Sequence, residues 1–326
     1  MDRPVKTINE IINAKAALTP ETALQLELAL GVSASVWTGL ETNYRQHLAR
    51  TKVLGRLEQH LDWAALFPVN ELRRHGVLDS GSEGGELVAS LLRFFGVSTT
   101  NAWAQKWESP QAAFRRSPAF ESSPHATAAW LRWGELSAAA TSSAPFNRGA
   151  LLDVLQNARS MTREEPLSDV LDELREELAE CGVVLVLTPE LEGTRVSGAA
   201  RWLASNRALI QLSLRYKSDD QFWFSMFHEA AHLIEDQNVE FVDSDPGSSK
   251  GDEEAERRAD ARARDLLVPP AVYDEFVAAG KFDAAAVRSM AKQEGIAPGV
   301  VVGRLQRDGL IPYNRLNTLK KRLAWG

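Results

Sequence analysis

One cysteine, Cys181, is all that the 326 residues contain, so no intramolecular disulfide can form and the chain suits a reducing compartment. Its setting, Glu180-Cys181-Gly182 before an apolar run, is that of a buried structural thiol. No stretch approaches the roughly 18 apolar residues of a membrane span, and no apolar signal core follows Met1-Asp2-Arg3-Pro4. A cytoplasmic location is therefore expected. Positive charge is also scarce: 37 Lys and Arg against 44 Asp and Glu leave a net charge of −7. That balance argues against a surface built for broad, sequence-independent nucleic-acid binding, though not against a small DNA-reading element. Glycine and proline show no excess, so the composition is that of an ordinary globular protein.

What is present falls into four regions: 1–50, 51–160, 161–275 and 276–326. In the first, Pro4 suits a helix start, and Ile8, Ile11 and Ile12 recur at helical spacing. Thr19-Pro20-Glu21-Thr22 begins a second helix, with Thr19 as its cap and Gly31 as its stop. A third runs from Ser35 past Leu48. Residues 51–160 are rich in Ala, Leu and Trp and read as a helical connector with no assignable chemistry. After Pro166 the pattern changes to a helix over 167–180 and the compact strand Val183-Val184-Leu185-Val186-Leu187. Strands at 193–204 and 208–214 then flank a turn at Ser205-Asn206. Helices follow over about 219–236 and 252–267, the latter ended by Val268-Pro269-Pro270, and the tail 276–326 is helical. The fold class expected is α+β, mainly α. A small sheet packs on a pair of helices behind an all-α N-terminal region.

The chemistry lies in His228-Glu229-Ala230-Ala231-His232, an HExxH sequence. Residues i and i+4 share a helix face, so both imidazoles can reach one ion while Glu229 projects from the flank toward a water. Zinc accepts neutral imidazole and keeps a position open for water when three protein ligands bind. A chance HExxH turns up in about one chain of this length in a hundred, so a third ligand is needed to make the case. Glu253, Glu254 and Glu256 are all candidates. Glu256 is preferred because Asp260 follows one turn later, where it can hold the N–H of a ligand histidine. Glu253 and Glu254 read as a solvated face beside Arg257, Arg258 and Arg262. With His228, His232 and Glu256 as ligands, Glu229 is the general base of a zinc hydrolase. Arg215, Tyr216 and Tyr273 are candidate donors to a developing oxyanion, by their proximity to the motifs. The 208–214 strand is either an edge that accepts an extended substrate or an ordinary interior strand. Manganese and iron(II) are alternatives to zinc with this donor set.

These residues bring a family to mind. The segment from Phe222 to His232 resembles the active-site helix of the ImmA/IrrE family of bacterial metallopeptidases. Glu256 to Pro269 is similar to that family's second signature, Glu-x-Glu-Ala-Asn/Asp-x-Phe-Ala ending in Leu-Leu-x-Pro. Glu256 and Asp260 match it; Arg258 stands where a second acid is usual and Arg262 where an aromatic is usual. Residues 3–12 and 19–27 look like the later part of a helix-turn-helix of the XRE/HigA antitoxin type, and 299–306 like the end of such fused proteins. The resemblance makes residues 3–12 a recognition helix, with Lys6, Thr7, Asn9 and Asn13 placed to face DNA bases. Only three residues precede Pro4, so either the chain starts late or the helix-turn-helix is partial. Six Lys or Arg against five Asp or Glu in the first 52 residues give no basic footprint. A polar face in a protein-contacting domain is the other reading.

The resemblance implies site-specific cleavage of a regulatory protein, often a helix-turn-helix repressor. Stress, mobile elements or toxin–antitoxin loci are the expected setting. Operator DNA and a toxin are further expected partners, and a membrane is not. Two rival readings use the same residues. One is a DNA-binding regulator or antitoxin that uses the peptidase fold for sensing or partner binding. The other is a zinc hydrolase of a small amide.

Overall fold

The computed structural model describes residues 4–107, 123–194, 196–213, 217–235 and 249–323. Among these the chain is mainly helical with one small mixed sheet. It divides into two compact units, one of Met1–Ala65 with Gly81–Arg93, the other of Leu66–Ser80 with Phe94–Gly326. No helix among the described residues is long and apolar enough to cross a membrane.

The first unit begins with α1 (Val5–Ile12), α2 (Pro20–Leu30) and α3 (Ala34–Leu57). Their ends follow the local chemistry. The Thr19 hydroxyl accepts from the Thr22 N–H at 3.3 Å, satisfying one of the orphan donors at the start of α2. Gly31 closes α2 at φ 70°, a left-handed conformation that glycine adopts without strain. α4 (Leu61–Ala64) completes this run of helices. α1 and α3 contain no fully buried side chain, and Val36, Leu40, Tyr44 and Leu48 are exposed along α3.

In the second unit α5 (Val69–Arg74) is separated in sequence from the rest by α6 (Gly84–Phe95), most of which belongs to the first unit. Then come α7 (Thr100–Trp107), α8 (Pro124–Ala139), α9 (Arg148–Met161) and α10 (Leu167–Glu180). Val170, Leu171, Leu174 and Leu178 recur at helical spacing along α10 and are buried. The sheet consists of β1 (Val183–Leu187), β2 (Gly198–Ala204) and β3 (Arg207–Leu212), in the order β1-β3-β2. β1 runs parallel to β3 from Val183 opposite Ala208. β2 and β3 form an antiparallel hairpin with an irregularity at Trp202/Ala204.

That order decides between the two readings of the 208–214 strand. β3 is the central strand, paired on both sides, and so cannot be an edge for substrate; β1 and β2 are the edges. Burial on both faces explains why β1 is apolar throughout. Val183 and Leu185 enter the main core, while Val184 and Val186 join Leu209 and Ala138 on the opposite side.

α11 (Asp219–Glu235) packs against β2 and β3, and α12 (Ser249–Leu267) packs against α11. Phe222, Trp223, Met226, Phe227, Ala230 and Ile234 bury one face of α11 in the main core. α13 (Pro270–Ala278), α14 (Ala284–Glu294) and α15 (Pro298–Arg307) finish the unit. Val287, Met290, Val300, Val301 and Leu305, on α14 and α15, lie in the same core as α11. Arg304 also donates to the carbonyls of Arg264 and Val268 at 2.8 and 2.7 Å, and Arg159 to that of Leu267 at 3.2 Å. Those at Leu267 and Val268 satisfy carbonyls that the end of α12 would leave open, while the Arg264 carbonyl also accepts from the Val268 N–H.

The start of α11 is anchored from the far end of the chain. Asp219 Oδ1 accepts from the Lys321 N–H at 2.9 Å, and Lys320 Nζ donates to Asp220 Oδ2 at 2.7 Å. Gly299 permits this, since a Cβ there would stand 2.6 Å from both Asp219 carboxylate oxygens. Burial pushes the Asp219 carboxyl up to about 6, while Asp219 Oδ2 has no partner. The folded state thus holds this proton more tightly than the unfolded chain. Its contribution to stability is present in acid and is lost as pH rises from about 4 through 6. Asp219→Asn keeps the Oδ1 acceptor without the charge. Thermal melts should show it more stable than the parent at pH 8, with the gap closing toward pH 4; parallel stability–pH curves would refute this account.

Candidate metal centre

His228 and His232 stand one turn apart on α11, on the face turned from the core, at 15% and 13% side-chain exposure. Their Nε2 atoms are 3.1 Å apart. Glu256, reaching across from α12, places Oε2 at 3.2 Å from His228 Nε2 and Oε1 at 3.3 Å from His232 Nε2. These are the three side chains whose donor atoms converge as a metal-capable group among the described residues.

The spacing fits an ion. Ligand atoms about 2.0–2.1 Å from a tetrahedral zinc stand about 3.3 Å from one another. Two ring nitrogens facing each other at this range repel unless a proton or a cation lies between them. The tautomer of His228 is set by the other side of its ring, where Nδ1 lies 2.9 Å from Asp260 Oδ1, somewhat off the hydrogen-bond axis. With a proton on Nδ1, Nε2 carries the lone pair that a metal needs. The neighbouring ring of Phe224, one turn earlier, lies 5.9 Å from that of His228.

Electrostatics concentrate negative charge on this spot. Burial opposes protonation of His228, but Asp260, Glu256 and Glu229 together raise its pKa to about 10. Burial likewise disfavours the Glu256 carboxylate, yet the two histidines hold it down at about 2. Asp260 is lowered below the usual carboxylate range by His228 and Arg307, against its own burial. A site that keeps a proton this firmly is one that a dication can occupy by displacing it.

Glu229 is buried at 8% exposure, and burial raises its pKa against the pull of His228 and His232. The Ala200 N–H donates to its carboxylate. The geometry of β2 explains this bond. The Ser213 N–H donates to Ser197 O, so alternate residues, Gly198 and Ala200 among them, turn their backbone groups to the free edge. Gly198 leaves the room, since a Cβ there would lie 2.8 Å from both Cγ and Oε1 of Glu229. Sequence reasoning missed Gly198 and Ala200; the small-residue run Gly198-Ala199-Ala200 inside a strand was the available signal.

The remaining sequence candidates are more scattered. Tyr273 is buried on α13, donates to Asp308 Oδ2 at 2.7 Å and lies under the Arg304 guanidinium, 3.8 Å from its ring centre. Burial and then Asp308 raise its pKa, so its hydroxyl stays protonated and engaged within the fold. Arg215 and Tyr216 lie outside the described residues. Glu254 is exposed and pairs with Arg258 at 3.5 Å, away from the histidines. On α1, Lys6 pairs with Glu10 at 4.0 Å, and Asn13 donates to the Asn9 carbonyl at 2.7 Å. Lys6, Asn9 and Asn13 are exposed and Thr7 is half-buried.

No protein-family model, curated protein or solved structure matches this chain.

The donor set predicts about one divalent ion per chain in mass spectrometry of the zinc-supplied protein, lost or much weakened in His228→Ala and Glu256→Ala. Because binding must displace the proton on His228, zinc affinity should rise with pH between 6 and 9. Metal retained in full by both variants would place the ion elsewhere.

Proposed function

We propose that the chain is a zinc-dependent endopeptidase that cleaves a regulatory protein, a helix-turn-helix repressor or antitoxin-like partner. The observation that carries this reading is the convergence of His228, His232 and Glu256 beside the buried carboxylate of Glu229. Zinc held by these three residues supplies Lewis acidity, which brings the pKa of water toward neutrality and polarises a carbonyl. The chain's own residues do the rest. Glu229, with its pKa raised by burial, takes a proton from the attacking water and returns it to the leaving amine. The Ala200 N–H holds one end of that carboxylate in place. Asp260 holds His228 through Nδ1, on the side of the ring opposite the Nε2 that faces Glu256.

The shape of the site supports a peptide over a compact small molecule. β2 is an edge strand with outward-facing backbone groups beside Glu229, so an extended segment can add to it as a further strand. The choice of a regulatory protein as substrate rests on the ImmA/IrrE resemblance, and so do a bacterial cytoplasmic setting and stress or toxin–antitoxin loci as context.

The test is proteolysis of the proteins encoded beside the chain, followed by mass spectrometry of the fragments, with parent and Glu229→Gln protein. The variant should keep its metal and lose about 10²- to 10⁴-fold in rate, the usual worth of a general base. Sequence-specific DNA retention by both proteins with no cleavage by either would favour the regulator reading. Cleavage of short capped peptides alone would favour a small-amide hydrolase.

A further inference from the structure

Asp260 stands between a ligand histidine and an arginine from the far end of the chain. Its Oδ1 lies 2.9 Å from His228 Nδ1, and its Oδ2 accepts from Arg307 Nη2 at 2.8 Å. Arg307, the last residue of α15, also lies over the Phe224 ring, 4.4 Å from its centre. Phe224 precedes His228 by one turn of α11. We propose that Arg307 is a positioning residue for the metal centre, holding Asp260 and, through it, the His228 imidazole. This rests on the reading of His228, His232 and Glu256 as the metal site.

The physical case has three parts. Asp260 is 29% exposed, so water competes for both of its oxygens. Anchoring Oδ2 fixes the carboxylate plane and keeps Oδ1 turned to the ring. Second, the group that does the anchoring is itself clamped. A planar guanidinium can stack on Phe224 and donate to Asp260 at once, which a lysine ammonium cannot do equally well. Third, the contacts join α11, α12 and α15 in one closed circuit, so the mutual placement of the helices bearing His228 and Asp260 is set by a third helix.

A cation near a dication site would oppose metal binding if it acted through its charge. Here Arg307 is paired with Asp260 and is 43% exposed, so its field at the metal is offset and screened. Orientation is left as its main effect. Sequence gave no hint of this role, because Arg307 lies 47 residues beyond Asp260.

The experiment is a zinc affinity measurement by competition with a chromophoric chelator. It compares the parent, Arg307→Ala, Arg307→Lys, Asp260→Ala and the Asp260→Ala/Arg307→Ala double variant, with cobalt(II) absorption spectra for each. Partners beyond the ligands commonly change metal affinity by 10- to 100-fold. Arg307→Ala should bind zinc about tenfold more weakly and shift the cobalt bands, with Arg307→Lys falling between it and the parent. In the Asp260→Ala background, removing Arg307 should change neither affinity nor spectrum. Affinity unchanged in Arg307→Ala would overturn the proposal. So would an equal loss in the Asp260→Ala background, which would make Arg307 a residue of the fold alone. A parent that takes up no zinc would overturn the metal-site reading itself, and is distinguishable from both.

Discussion

Two imidazole nitrogens 3.1 Å apart, with a carboxylate closing the third side, set the terms for this half of the molecule. Such a cluster is unstable as a neutral array, because two lone pairs face each other across a gap too short for water. It needs a cation at its centre or a proton on a ring. The surrounding acids make either acceptable, since Asp260, Glu256 and Glu229 all favour positive charge on His228. Rigid support is then required, because a shift of one helix by a fraction of an ångström would open the cluster. α11 obtains that support by burying Phe222, Trp223, Met226 and Phe227 on its other face.

The second helix of the pair, α12, is strongly charged, and its buried face is mostly alanine, Ala255, Ala259 and Ala263, with Leu267 at its end. Arg304 and Arg159 add hydrogen bonds to carbonyls at its C-terminal end. Arg307 on Asp260 adds a further hold. The start of α11 is likewise pinned through Asp219 and Asp220 to Lys321 and Lys320. The C-terminal fifty residues thus belong to the site's framework.

What could be read from sequence was what local physics decides. The cap at Thr19, the stop at Gly31, the β2–β3 turn at Ser205-Asn206 and the i, i+4 pairs 228/232 and 256/260 each depend on residues a few positions apart. The structure shows them as expected. Strand order was not legible. The alternation in β3 is compatible with an edge or a central strand, and only the parallel pairing with β1 decides between them. The participation of 276–326 in the core was hidden for a similar reason, since apolar helices of that length signal burial without saying against what. Gly198 is the instructive case: glycine in a strand signals a close approach, but not that the approaching group is the side chain of Glu229.

Glu229 itself ties fold to chemistry most directly. An exposed glutamate would ionise near its ordinary pKa and hold a proton too weakly to carry it from one group to another. Burial against β2 raises its pKa, and the nearby histidines restrain that rise. A base so tuned sits nearer the range in which accepting and returning a proton are both easy. The burial is possible because Gly198 leaves the space and the Ala200 N–H offers a bond to a carboxylate that has given up water.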